Sequence, residues 1–199
     1  MNARRDSYDI VVSVGTDHHR FDRLIGWVDR SLESWNGPVP SCLVQHGASR
    51  EPRSADAVNR MPREQLLDYY RTANAVVVQG GPGSILDARE AGRLPLVVPR
   101  VPDLHEVVDG HQRAFSAVMV RHGNAIVVES WEEFDRQLHA MLESPLAFAT
   151  EPRTADPDAA AALLDRHVGE ILERPTRRRG LFRRLRQVLR RGPAVGGAG

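Results

Sequence analysis

Five consecutive residues carry the first chemical signal, Gly80-Gly81-Pro82-Gly83-Ser84, with Asp87 three positions further on. Three glycines in four positions let a backbone turn sharply and approach a ligand with no Cβ in the way. Ser84 stands where a helix N-cap is expected, so the free amides of a helix start would point into the turn and hold an anion. The same residues also fit a tight strand-to-helix turn with no ligand, and Ser84-x-x-Asp87 fits a capping box in which the carboxylate returns to a backbone amide.

The flanks say what must position this turn. Val76-Val77-Val78 precedes it, a short helix stopping at Gly92 follows, and Leu96-Val97-Val98 comes next. Apolar runs without polar interruption read as strands covered on both faces. The same alternation runs along the chain. Residues 8–15 form a first strand ending in the polar loop from Gly15 to His19, and residues 21–34 a helix with Phe21, Leu24, Ile25, Val28 and Leu32 toward the core. Residues 41–45 make a second strand, followed by a loop rich in Arg, Pro and Ser up to Asn59. Residues 62–72 form a helix that packs through Leu66, Leu67 and Tyr70. After the glycine turn and its strands come a loop over 100–110, a helix over 111–122 with Phe115, Val118 and Met119 on one face, and a strand over 125–128. Ser130-x-x-Glu133 then caps a helix reaching about residue 142. This alternation predicts an α/β fold with a doubly wound parallel sheet, whose ligands gather at the carboxyl ends of the strands. Gly15-Thr16, Gln45-His46-Gly47, the glycine turn and the loop from Arg100 to Gln112 all belong to that edge.

Length and composition set the bounds. At 199 residues with one cysteine, Cys42, the chain fits one α/β domain of ordinary size with some extra and is too short for two nucleotide-binding halves, holds no intramolecular disulfide and suits a reducing compartment. No stretch approaches the roughly 20 apolar residues of a membrane span, and a cytoplasmic location is expected. Residues 1–143 read as the globular domain, 144–157 as a linker, 158–173 as a C-terminal helix and 174–199 as an arginine-rich tail. All 27 basic residues are Arg; nine of them fall after Glu173, where there is no acid, so residues 1–173 carry 18 against 26 acids. Between Gly180 and Arg191 the apolar Leu181, Phe182, Leu185, Val188 and Leu189 line one helical face with arginines around them. Such a helix lies on an anionic membrane or in a partner's groove, though it also fits a solvated tail. Nucleic acid is disfavoured, because Phe182 is its one stacking side chain.

Taken in order, Val12-Ser13-Val14-Gly15-Thr16 with Phe21-Asp22-Arg23-Leu24-Ile25, then residues 75–88, Pro95 to Arg100, and Gly110-His111-Gln112 resemble the catalytic subunit of split GT-B glycosyltransferases. These are the PssE-like exopolysaccharide enzymes and the cytosolic subunit that adds N-acetylglucosamine to dolichol-linked oligosaccharide; both are similar to the C-terminal, donor-binding half of MurG. The similarity covers about residues 8–142. It implies a Rossmann-like domain that takes a sugar from UDP-sugar to a lipid-linked acceptor held by a membrane-associated partner subunit, with inversion, at the inner face of the cell membrane. Gly15 and Thr16 would face the diphosphate. Gly80, Gly81, Gly83 and Ser84 would cradle it, Asp87 would hold the ribose hydroxyls, and His111 and Gln112 would contact the donor sugar or phosphate. The loop from Asn59 to Pro62 would lie by the uracil. Where the family has His this chain has Gln79, which donates a hydrogen bond but takes up no proton.

No Asp-x-Asp motif stands within the similar stretch, so neither a metal nor a cofactor is expected, with helix amides stabilising the departing UDP. The general base is expected from the partner, His18 and His19 being the candidates within this chain. Two other readings stand beside this one. One is a non-catalytic nucleotide-binding scaffold that docks a membrane partner through its basic tail, from Arg177 to Arg191. The other, a dinucleotide-dependent enzyme, is disfavoured because the first strand lacks a Gly-x-Gly-x-x-Gly turn.

Overall fold

The computed structural model describes residues 5–108 and 111–153. Six strands, β1 (Ile10–Ser13), β2 (Cys42–Gln45), β3 (Asp56–Val58), β4 (Ala75–Gln79), β5 (Leu96–Val98) and β6 (Ile126–Val127), form one sheet in the order β3-β2-β1-β4-β5-β6. Every pairing is parallel. Side chains alternate between the faces of a strand. Ile10 and Val12 of β1 therefore enter one core with Val77 of β4 and Leu96 and Val98 of β5, while Val11, Val76, Val78 and Val97 enter the other. Both faces are apolar because both are covered.

Helices α1 (Asp22–Glu33) and α5 (Trp131–Glu143) cover the first face, and α2 (Arg63–Thr72), α3 (Pro82–Glu90) and α4 (His111–Arg121) the second. The expected stripe of α1 is buried in full, from Phe21 to Leu32, as are Leu66, Leu67 and Tyr70 of α2. Ser130 caps α5 by accepting the Glu133 amide at 3.2 Å. In α4 Met119 is buried, whereas Val118 lies on the exposed side, so the expected three-residue face is narrower.

Three expectations on the elements are corrected. First, the stretch leading to Asn59 contains β3, an edge strand. Its lead-in is pinned by the buried Asp29, whose carboxylate pairs with Arg50 (2.8 Å) and accepts the amides of Arg53 (2.7 Å) and Ser54 (3.2 Å). Second, β1 spans four residues and not eight, because the sheet pairs it only from Ile10 to Ser13. Third, residues 144–153 do not begin a free linker. Pro145–Phe148 is a 3₁₀ turn, and the chain beyond it bonds back through Phe148 O to Leu94 N–H, Thr150 N–H to Gly92 O and Arg153 N–H to Arg89 O, each at 2.9–3.0 Å. The rest of the expected linker, the helix over 158–173 and the arginine tail lie outside the described residues.

Candidate functional site

Because β1 lies between β2 and β4, the chain leaves β1 toward one edge of the sheet and later crosses to the other. At such a switch point the loops after the two central strands part and leave a crevice. A cleft of about 520 Å³ occupies it, lined by Gly15, Thr16, Gln79, Gly81, Gly83, Ser84 and Asp87 together with Ser13, Gln45, Met61, Arg63, Leu66 and Pro82. Topology therefore brings together most residues that the sequence singled out.

The glycine turn is built differently from the expected cap. Gly81 is the N-cap of α3, with extended backbone, and Pro82 is its first helical residue, so Ser84 sits inside the first turn and no Ser84–Asp87 capping box exists. Proline's fixed φ and missing amide decide that start. The first helical hydrogen bond runs from Ile85 N–H to Gly81 O at 3.3 Å, and the amides of Gly83 and Ser84 precede it. Gly81 N–H is used within the turn, donating to Gln79 Oε1 at 2.9 Å, while Gln79 Nε2 donates to Ser84 Oγ at 3.2 Å. Gln79 thus lies across the turn as a brace. A Cβ on Gly81 would fall 2.3 Å from Gln79 Nε2, and one on Gly15, whose φ is +81°, would fall 3.0 Å from the same atom. Gly15 needs glycine for its positive φ, and at Gly81 a side chain would push the Gln79 amide out of the brace.

Beneath the cleft runs a chain of polar groups. Ser13 Oγ accepts from Gly15 N–H (3.3 Å) and from Gln45 Nε2 (3.1 Å), and Gln45 Oε1 accepts from Met61 N–H (3.0 Å). Met61 and Leu66 supply an apolar side to the cleft. Arg63, the first residue of α2, donates Nε to Asp87 Oδ1 at 2.9 Å, and its Nη2 lies 2.8 Å from Asp87 Oδ1 and 2.6 Å from Glu90 Oε2. The hydrogen bonds it donates to Glu90 and then to Asp87 raise the Arg63 pKa, so it stays a cation. Arg60 reaches the rim, its Nη2 donating to Thr16 O at 3.0 Å. Asp87 is therefore held by a cation at the cleft wall and is not a helix cap.

Other expected residues lie off the cleft lining. Gly80 is buried, with Ser116 Oγ donating to its carbonyl at 3.5 Å, and Gln112 Oε1 accepts from Arg100 N–H at 3.4 Å. His111 opens α4, and its side chain lies outside the described residues. His18 and His19 continue the β1–α1 loop past Thr16, beyond the lining residues. Asp17 accepts the His19 amide at 2.8 Å and the His19 ring at 2.7 Å. Partial burial works against ionisation of Asp17, but those two bonds and the charge of Arg100 outweigh it and hold the carboxyl below its ordinary pKa.

The sequence reading missed Arg100 as an organiser of this loop. Its side chain is fully buried, Nη2 donates to Val14 O at 2.8 Å, and Nη1 donates to His19 O at 2.9 Å and Glu106 O at 2.8 Å. Burial pulls its pKa down, while Asp17 and Glu106 oppose that. Arg23 and Glu106 add a bidentate pair at 2.8–2.9 Å that fixes the loop after β5 to α1. The β1–α1 segment and the loop after β5 are tied to each other through these two arginines.

No family model and no curated protein matches the chain. Among solved structures it is similar to the glycosyltransferase of kitacinnamycin, with TM-score 0.53 and 17% identity over 72% of this chain and 37% of that one. It is also similar to MurG of Acinetobacter baumannii, with TM-score 0.51 and 17% identity over 73% of this chain and 44% of that one. The chain spans less than half the length of either structure. At this level the likeness establishes the fold: the six-stranded parallel sheet with helices on both faces is that of a Rossmann-like half of the GT-B architecture.

Proposed function

We propose that this chain is the donor-binding subunit of a glycosyltransferase that moves a sugar from a UDP-sugar to a lipid-linked acceptor in exopolysaccharide or glycolipid synthesis. A membrane-associated partner would hold the acceptor, and the chain would work at the cytoplasmic face of the membrane. One juxtaposition supports this reading above all: Gly83 and Ser84 at the start of α3, the Gly15–Thr16 loop and Asp87 line a single cleft at the switch point. Amides at a helix start offset the charge of a diphosphate and of UDP as it leaves, since their dipoles are fixed before the reaction begins. A carboxylate one to two turns along the same helix is placed for ribose hydroxyls, with the apolar Met61–Leu66 side for the base. The reaction follows with inversion and without a metal, its general base coming from the partner. Co-expression with a membrane protein of the acceptor-binding type, scored by transfer from a UDP-sugar, tests the whole reading. Calorimetric titration of the chain with UDP tests its first half.

Gln79→Ala removes the brace and leaves the helix start in place. UDP affinity is expected to fall about fivefold, the equivalent of about 1 kcal/mol for lost neutral hydrogen bonds. The melting temperature should move by less than about 2 °C; unchanged UDP affinity would show that the brace does not order the amides.

Deleting residues 177–199 removes eight of the nine tail arginines. Sedimentation with phosphatidylserine vesicles at low salt is expected to fall at least tenfold, while UDP binding stays the same. Equal sedimentation of both proteins would make the tail a passive extension.

A further inference from the structure

Past the cleft lining, in the β1–α1 loop, three side chains converge in a way that neither the anion cradle nor the core requires. Asp17 Oδ1 lies 2.7 Å from His19 Nδ1 and 3.4 Å from His18 Nδ1, and one ligand atom from each of the three residues falls within 4.8 Å of the other two. The imidazole rings stand 4.0 Å apart, tilted by 40°. His19 is 23% exposed and has a reason to be there, since its amide and ring both bond Asp17 and its carbonyl is held by Arg100. His18 has none of these ties. Its side chain is 87% exposed, so water could satisfy it in several rotamers, yet it turns toward the same carboxylate oxygen and its neighbour's ring.

We propose that Asp17, His18 and His19 form a binding site for a transition-metal dication of the Zn²⁺, Co²⁺ or Ni²⁺ class. Two imidazole nitrogens and one carboxylate oxygen are the donors such ions favour, whereas Mg²⁺ and Ca²⁺ take oxygen ligands. Ligands about 2.1 Å from a tetrahedral ion stand about 3.4 Å from one another, so small side-chain adjustments close the set. The support around it is of the kind that orients metal ligands: Asp17 receives the His19 amide, and the fully buried Arg100 fixes the His19 backbone. Three protein donors leave at least one coordination position open to water or to an oxygen of an incoming ligand.

The test is calorimetric titration of the full chain with ZnCl₂ at neutral pH, repeated with CoCl₂ while the visible absorption of bound Co²⁺ is followed. One saturable equivalent is expected, undisturbed by excess MgCl₂. His18→Ala, at a side chain too exposed to endanger the fold, should weaken it at least tenfold, and Asp17→Asn with His19→Ala should abolish it. His139→Ala is the control, because His139 faces Asp135 at 4.0 Å as a lone imidazole–carboxylate pair; it should leave binding unchanged. Absence of a saturable equivalent in the wild-type protein, or full retention in His18→Ala, overturns the site. UDP affinity is read separately and does not bear on this outcome.

Discussion

Replacement of Arg100 by Met is expected to lower the stability of the domain by about 3 kcal/mol, a fall in melting temperature of about 6–12 °C for a chain of this size. Among the described residues Arg100 is the largest fully buried side chain, and its guanidinium serves the carbonyls of Val14, His19 and Glu106 while lying 4.7 Å from the Phe21 ring. Met fills much of the same volume and donates nothing. Three carbonyls lose a charged donor, each at about 1–3 kcal/mol when left without a replacement. Part of that loss is returned because a buried cation no longer has to be stripped of water. Arg100→Lys keeps the charge but concentrates it on one nitrogen, which cannot span Val14 on one side and His19 with Glu106 on the other; an intermediate loss is expected. Thermal unfolding followed by circular dichroism gives the answer, and a shift under about 2 °C for the Met variant would show that the carbonyls find other donors.

The elements that could be read from the sequence are those whose signal is local. Unbroken Val and Leu runs placed β1, β2, β4 and β5, and helical spacing placed α1 and α2, because each of these segments meets the core over its whole length. The crevice followed from strand alternation, with Gly15 and Gly81 to Ser84 at its edges. Features held by distant partners left no such trace. Strand β3 is three residues long, and its lead-in is fixed by Asp29, 24 positions before Arg53. The resemblance set Asn59 to Pro62 beside the base, but without β3 nothing carried the start of α2 across to Asp87, so Arg63 went unnoticed. Arg100 was hidden by composition: in a chain with 27 arginines, nothing local separates a buried one from the rest. At the glycine turn two local rules competed for the helix start, serine at the cap or proline in the first turn. Proline prevailed, with Gly81 in the extended conformation before it, and Ser84 Oγ became a partner for Gln79. Residues 144–153 have the composition of a linker, yet backbone bonds to Gly92 and Leu94 hold them, and backbone groups carry no residue code.

For Asp87→Ala the expected result is a fall in UDP affinity of about 30-fold, or about 2 kcal/mol, with the fold intact. Both bonds from Arg63 land on Asp87 Oδ1, which leaves Oδ2 for a ligand hydroxyl. A charge-assisted bond from a ribose hydroxyl to that oxygen is worth about 1.5–3 kcal/mol, and the Arg63 fork keeps the carboxylate from turning away. The α2–α3 contact survives the substitution because Glu90 Oε2 still holds Arg63 at 2.6 Å. Two explanations of a weakened variant then need separating: Asp87 touching the ribose, or Asp87 only placing Arg63. Comparison with 2′-deoxy-UDP does so. If the carboxylate accepts from the ribose, the wild-type protein prefers UDP over its deoxy analogue and Asp87→Ala erases most of that preference. If Asp87 acts only through Arg63, both nucleotides weaken by the same factor and the preference survives, an outcome that would take Asp87 out of contact with the nucleotide while leaving the cleft itself in place.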